Sequence, residues 1–195
     1  MDKGFEAWGG AARVGAVPLT RGRLYVYLVL AAPPGIPRQT TVGAIKPHFQ
    51  QFAEPLPRIL DALEGTELLH HDLEELAAPV WGRDRIVLIG DAAHAMTPNL
   101  GQGAGMCIED AAVLPAIVAA PSPARALMTL RHERVARIQK ESRRLGQIAH
   151  WKSPAAVGLR NALLRHMPAS ISDGNYRRMI EPGLNLLRDS IAVPE

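Results

Sequence analysis

Residues 85–111 contain the feature that most constrains the fold: an apolar run that meets an acid and then a glycine-rich loop. The run RIVLIG is bounded by charge and by glycine, which predicts a buried, parallel strand. Asp91 follows at once, at the end of the strand, where ligands bind in open α/β sheets. After a further loop, glycines occupy alternate positions in front of a helix-like run. The pattern predicts a strand–loop–helix unit.

Asp91 has two interpretations. An ionised carboxylate at a strand end can accept hydrogen bonds from the hydroxyl groups of a sugar-like ligand. Alternatively, it caps the short turn formed by the sequence AAHA that follows it, and then has only a structural role.

The glycine-rich loop also has two interpretations. Gly101, Gly103 and Gly105 allow the backbone to approach a ligand closely, and the free N–H groups of the following helix attract anionic or electron-rich oxygens. Alternatively, the loop is only a flexible lead into a buried helix. It is not the dinucleotide fingerprint G-x-G-x-x-G, because Met106 stands where the third glycine should be. A phosphate-binding P-loop is also absent.

The string GDAAHAMTPNLGQGAGMCIEDA resembles the second flavin motif of the FAD-dependent aromatic-ring hydroxylases, single-component flavoprotein monooxygenases similar to para-hydroxybenzoate and salicylate hydroxylases. The flanking sequences agree. EAWGGAARVGAVPLTRGRLYVYLVL resembles two strands of that family's substrate domain, and RHERVARIQKESRRLGQIAH resembles its long C-terminal helix. The resemblance covers the chain from about Glu6 to Trp151.

The resemblance implies a role for each matching residue. Asp91 would bind the ribityl chain of FAD, and Pro98 would lie beside the reactive edge of the isoalloxazine as the residue nearest the chemistry. The N–H groups around the start of the helix would stabilise negative charge at the pyrimidine end of the ring. The implied cofactor-contacting set is Gly90, Asp91, Pro98, Gly101, Gln102, Gly103, Ala104, Gly105 and Met106.

The implied activity is hydroxylation of an aromatic or otherwise unsaturated small molecule through a flavin hydroperoxide, with NAD(P)H as reductant. The substrate would lie between the loop at Pro98 and the strand that holds Tyr25 and Tyr27. A position in the core is the alternative for either tyrosine. His94 is expected to pack and to hydrogen-bond structurally rather than to act as an acid or base.

The chain also departs from the family pattern. It carries neither the βαβ unit with G-x-G-x-x-G nor the short Asp-Gly motif that binds FAD and NADPH, and Pro115 is expected to interrupt the helix after the glycines. The sequence therefore predicts half of a flavin site, the C-terminal part of a monooxygenase that is active only within the full enzyme or when reconstituted with a separate N-terminal half. Two alternatives remain: a truncated, non-catalytic relative that forms a folded or dimeric remnant, and a protein that binds through a basic helix.

The fold class predicted is α/β (α+β), an incomplete FAD-binding fold with three segments. Residues 1–78 form a partial substrate-domain sheet with short helices at about 40–53 and 55–64. Residues 79–120 form the flavin-contacting unit, and residues 121–195 form a helical region. The sequence also predicts strands at Arg13–Leu19 and Arg23–Leu30, the second covered on both faces; a strand in TELLHHDLEEL; and helices from Pro123, at Ala155–His166 and at Asn175–Leu187.

Composition narrows the remaining classes. Cys107 is the only cysteine, which excludes an internal disulfide framework and a cysteine-rich zinc site. No metal is expected, because His70 and His71 are adjacent and no third ligand has suitable spacing. The segment from Ser122 to Lys152 is basic, and a solvated helix face is favoured over nucleic-acid binding. With no signal peptide or apolar membrane span in the sequence, a cytoplasmic location is expected.

Overall fold

The structure is a computed structural model that describes residues 3–191, except for the side chains of Ala169, 171–173 and 189–191. The described chain forms two compact units. The first runs to Asp72 and also includes Gln147–Leu163, and the second consists of Leu73–Gly146 and the residues from Leu164 onward. The division into three segments at residues 78 and 120 stays a prediction.

The first unit contains an antiparallel sheet of three strands in the order β1-β2-β3. The strands are β1 (Phe5–Trp8), β2 (Ala12–Pro18) and β3 (Leu24–Leu30). The two strands that the sequence predicts here are confirmed as β2 and β3, which pair as an antiparallel hairpin with Gly15 opposite Tyr27 and Val14 opposite Leu28. Its turn is a single 3₁₀ turn at Thr20–Gly22.

Short helices cover one face of this sheet. They are α1 (Val42–Ile45), a 3₁₀ turn at Lys46–Phe49, and α2 (Leu56–Ala62), as the sequence predicts. The apolar core contains Ala12 and Val14 from β2, packed with Phe49 and Leu60. The helix α6 (Pro154–Arg165) confirms the helix predicted at that position.

Two predictions for this region are wrong. β3 is not covered on both faces, because its residue Tyr25 is 55% exposed. Leu28 and Leu30 pack against the apolar core on one side, whereas Tyr25 on the opposite side stays accessible. The segment TELLHHDLEEL forms no strand, and Leu69 within it is 90% exposed. Its backbone instead makes isolated bonds, such as that from the Leu68 N–H to the Thr40 carbonyl.

The second unit contains the predicted junction. Its elements are β4 (Gly82–Arg83), β5 (Ile86–Val87), α3 (Asp91–His94), α4 (Gly103–Ile117), α5 (Pro123–Ala149, to Gly146 in this unit) and α7 (Ala169–Ile191). The core lies between the long helices and the junction, with Met106, Leu127 and Val135 fully buried. The mixed α and β architecture with small sheets and long C-terminal helices is confirmed.

The strand in RIVLIG differs from the prediction. Only Ile86 and Val87 are regular strand, and they pair antiparallel with β4. Ile86 is 71% exposed, so the run is not a buried, parallel strand. A continuous apolar run predicts burial only where neighbouring strands cover it, and the described residues supply just the two-residue partner β4.

Pro115 does not interrupt the helix after the glycines. α4 continues from Gly103 through Pro115 to Ile117. Proline removes one donor and crowds the preceding turn, and this position lies within the last turn, where little helix remains to be disrupted. α7 likewise continues through Pro182 and is longer than the helix predicted at Asn175–Leu187.

Candidate functional site

The junction places Asp91 beside the start of α4. A methyl group added at Gly103 would lie 3.9 Å from Asp91 Oδ1. Asp91 is exposed, and no described residue donates a hydrogen bond to its carboxylate. The turn of α3 is closed by its own backbone, since the N–H groups of Ala93 and His94 both donate to the Gly90 carbonyl at 2.9 Å. The turn therefore does not use the Asp91 carboxylate as a cap.

The start of α4 presents free donors next to this acid. Gly103, Ala104 and Gly105 are the first residues of the helix, whose N–H groups have no acceptor within it. Gln102 precedes them without a capping side-chain bond, and Gly101 takes the left-handed conformation with φ of 63°. Met106 is the exception in the predicted set. It is fully buried and its N–H donates to the Gln102 carbonyl at 2.9 Å, so the predicted donors narrow to residues 103–105.

Pro98 lies on the loop between these two groups. It begins a 3₁₀ turn at Pro98–Leu100 and is exposed, and its carbonyl accepts a bond of 3.0 Å from the Gly101 N–H. The second unit thus brings Asp91, Pro98 and the start of α4 onto one short segment. Asp91 and Pro98, the two side chains of this segment that are expected to contact a ligand, are exposed to solvent.

A buried charged network lies beneath this segment. Asp110 accepts from the Gly90 N–H at 3.1 Å, from His94 Nε2 at 2.6 Å and from Arg131 Nε at 2.8 Å. Burial acts to raise the pKa of the Asp110 carboxyl, but these three donors outweigh it and hold the pKa below its usual range. A carboxylate in this state can only accept hydrogen bonds, so His94 Nε2 is the donor in its contact with Asp110.

The network extends to the neighbouring acid on α4. Glu109 accepts from Arg131 Nη1 at 2.6 Å and from Arg134 at 2.6 and 2.7 Å. Arg134 also donates to the Met179 carbonyl of α7 at 3.2 Å. His94 is fully buried and packs against Trp81, with ring centroids 5.6 Å apart. The predicted structural role of His94 has direct support in these contacts.

Glu109, Asp110 and Arg131 are not among the residues that the sequence predicts for the site. The sequence predicts a solvated face for the basic segment, whereas Arg131 is 1% exposed. The available signal was the adjacent acid pair on α4, which needs cationic partners if the helix is buried. Among the described residues no group of histidines, cysteines and acids could hold a metal ion, and no helix is long and apolar enough to cross a membrane.

The tyrosines predicted to contact substrate lie on β3. Tyr27 donates from its hydroxyl to Glu6 Oε2 at 2.8 Å, and its ring covers the Gly15 backbone so closely that a Cβ there would clash. Glu6 also accepts from Trp8 Nε1 at 2.6 Å. The Tyr27 side chain is thus bonded to and packed on the sheet. The ring of Tyr25 lies with its centroid 6.0 Å from that of Tyr27 and is more than half exposed. A substrate role for either residue stays a prediction.

The environment of Tyr27 leads to a pH prediction. Burial, then the hydrogen bond to Glu6, raise the pKa of Tyr27 to about 12. The folded state holds this proton more tightly than the unfolded state, so we expect stability to fall as pH rises from about 10 to about 12. Stopped-flow pH jumps that follow phenolate absorbance before unfolding should show a late-titrating tyrosine. Tyr27→Phe should remove it and Tyr25→Phe should retain it. Loss in the Tyr25 variant instead would contradict the assignment.

Comparison with known proteins identifies the class to which this fold and site correspond. A family described as FAD binding domain matches residues 57–144, which include the whole junction. The chain is therefore a relative of the FAD-dependent aromatic hydroxylases over part of their length. This confirms the family and the cofactor class that the sequence resemblance implies.

Individual relatives agree with this classification. The chain is 39% identical over 173 residues to 2-heptyl-3-hydroxy-4(1H)-quinolone synthase of Pseudomonas aeruginosa, covering 84% of this chain and 45% of that protein. It is 31% identical to aurachin C monooxygenase/isomerase of Stigmatella aurantiaca, covering 90% and 48%. The solved structure of Klebsiella pneumoniae HpxO with FAD and uric acid superposes with a TM-score of 0.70 at 27% identity, covering 91% and 46%. The chain spans about half the length of the relatives it matches.

Proposed function

We propose that this chain supplies the ribityl- and ring-contacting half of an FAD-dependent monooxygenase. The reaction is hydroxylation of an aromatic or unsaturated small molecule, with NAD(P)H as reductant. The observation that carries the proposal is that the exposed Asp91 carboxylate lies beside the free N–H groups at the start of α4. No described residue donates a hydrogen bond to this carboxylate. A carboxylate suits the hydroxyls of a ribityl chain, and helix N–H groups suit the carbonyl edge of a flavin.

The residues present fit such a cofactor on structural grounds. Gly103 leaves ordinary van der Waals space next to Asp91 and Met96, and Gly101 has open space around its α-carbon. The backbone can therefore meet a planar ring without side chains in between. FAD, when bound, supplies the redox and oxygen chemistry. This chain would orient it, stabilise negative charge at one end of the ring, and place Pro98 near the reacting atoms.

The relatives support the substrate class. One relative is a 2-heptyl-3-hydroxy-4(1H)-quinolone synthase and another an aurachin C monooxygenase/isomerase, and the HpxO structure contains uric acid. A quinolone and uric acid are both unsaturated heterocycles. An unsaturated heterocycle is therefore the class to test first for this chain, in a complex that contains the remaining half of the flavin site.

The first test is flavin binding. The purified chain should be titrated with FAD by visible absorbance and fluorescence, alone and together with an N-terminal half that carries G-x-G-x-x-G. We expect saturable FAD binding in the combined sample and weaker binding alone, because the chain lacks that pyrophosphate-binding motif. No FAD binding in either sample would refute the proposal and favour the non-catalytic alternative.

Asp91→Ala is expected to weaken FAD binding at least about tenfold in the same titration, since it removes charge-assisted hydrogen bonds to the ribityl chain. Glu133→Ala is the matched control: it removes an exposed carboxylate from α5 and should leave affinity unchanged. Both variants should keep the unfolding midpoint of the parent chain. Equal FAD affinity in the Asp91 variant and the parent would remove the ribityl role from Asp91.

A further inference from the structure

One face of α5 carries buried polar side chains that bond to the segment containing Pro98. Both are uncharged and deeply buried: Gln139 is 3% exposed and Ser142 is 0% exposed. They lie about one helical turn apart, so both face the same neighbour. Buried polar groups are costly unless they are hydrogen-bonded, and here their partners are backbone carbonyls of the loop after α3.

Ser142 holds the residues on both sides of Pro98. Its hydroxyl donates to the Thr97 carbonyl at 2.6 Å. Asn99 donates from Nδ2 to Thr97 Oγ1 at 2.9 Å and to the Ser142 carbonyl at 3.0 Å. The residue before Pro98 and the residue after it are thus both attached at one point of α5, while Pro98 itself remains exposed.

Gln139 holds the loop further upstream. Its Nε2 donates to the Ala95 carbonyl at 3.0 Å and to the His94 carbonyl at 3.4 Å. The next contact along the helix is Gly146, where a Cβ would collide with the Asn99 side chain. The helix is therefore shaped to receive this loop over three consecutive contacts, at residues 139, 142 and 146.

We propose that Gln139 and Ser142 are positioning residues for the flavin-contacting loop. They fix the backbone before and after Pro98, so that this proline and Asp91 keep one geometry relative to the bound ring. This inference rests on the proposed function. It assigns the polar face of α5 to the placement of the loop, and not to contact with flavin, substrate or nucleic acid.

The first measurement needs no flavin. Amide hydrogen exchange reports the loop directly, because the Gly101 N–H bonds to the Pro98 carbonyl and the Ala95 N–H bonds to the Asp91 carbonyl. Ser142→Ala should speed exchange at Gly101 about five-fold, and Gln139→Met, which removes the donor at similar length, should do so at Ala95. Thr129→Ala, which removes an exposed hydroxyl bonded within α5, should change neither amide. Unchanged loop exchange in both variants would overturn the proposal.

The second measurement separates positioning from stability alone. With FAD bound in the combined sample, at a temperature where both the parent and the variant are fully folded, Ser142→Ala should alter the visible circular dichroism of the flavin and weaken FAD binding about three- to ten-fold. Faster loop exchange with parental flavin spectra and affinity would overturn the proposal, because the bonds would then be structural only. If the parent chain binds no FAD in any sample, the proposed function fails and the positioning role fails with it, whereas a failure of positioning alone leaves parental FAD binding intact.

Discussion

Asp110→Asn is expected to lower the free energy of unfolding by about 3 kcal/mol, because it neutralises a carboxylate that three buried donors share. Asp110 is 0% exposed, and Arg131 beside it is 1% exposed. Removing the charge leaves the Arg131 guanidinium with Glu109 as its one remaining ion-pair partner among the described residues. Urea or thermal unfolding followed by circular dichroism measures the change.

Asp84→Asn is the matched control for this variant. Asp84 is an aspartate with its side chain 82% exposed, and its φ of 53° is one that asparagine also tolerates. We expect a change within about 0.5 kcal/mol. If Asp110→Asn were as mild as this control, the buried network would not contribute to stability as described.

The same variant tests the pH dependence of stability. The hydrogen bonds that lower the pKa of Asp110 make its folded form more acidic than its unfolded form. Its contribution is therefore present above the unfolded pKa of about 4 and is lost as pH falls through the folded value. The parent chain should lose stability more steeply below about pH 4 than Asp110→Asn does. Parallel acid limbs for the two proteins would contradict the lowered pKa.

Gly90→Ala is expected to destabilise the chain by about 3 kcal/mol, for two reasons. Gly90 has φ of 58° and ψ of −141°, a backbone conformation that is strained for any residue with a Cβ. A Cβ there would also lie 2.8 Å from Cys107 Sγ and 3.1 Å from its Cβ, so α4 or the loop must shift. The shift would occur at the residue before Asp91, and FAD binding should weaken together with stability.

Two comparisons isolate these causes. Gly43→Ala lies in α1, where an added Cβ meets nothing within 4 Å, and should be neutral or slightly stabilising. Cys107→Ala in the Gly90→Ala background removes the closer of the two clashing atoms and should recover part of the loss, leaving the backbone strain. No recovery would mean that strain alone accounts for the effect. A neutral Gly90→Ala would contradict the described backbone.

The sequence predicted the local elements of the site well. Asp91, Pro98 and the glycines could be placed because their order along the chain is a local pattern, and the helix start that follows is set by the same few residues. The hairpin of β2 and β3 was predictable for the same reason, since its turn and alternation lie within one short stretch. Helix α5 was predictable from its length and periodicity.

The sequence could not predict what these elements contact. RIVLIG was assigned to a buried, parallel strand because an apolar run says nothing about whether neighbours are present to cover it. The charges of α5 were assigned to solvent because periodicity does not show which arginine meets an acid on another helix. Arg131 and Asp110 are separated along the chain and meet only when α4 and α5 pack.

The sequence by itself therefore determined the chemistry of the candidate site: a carboxylate, a proline and a glycine-rich helix start in a fixed order, which are features of short-range backbone conformation. Only the tertiary structure decided how that segment is supported. The bonds from the Gly90 N–H to Asp110, from Gln139 to the Ala95 carbonyl and from Ser142 to the Thr97 carbonyl all join distant parts of the chain. Such bonds depend on helix packing, because packing removes the polar groups from water. Each buried donor and acceptor must then find its partner within the protein.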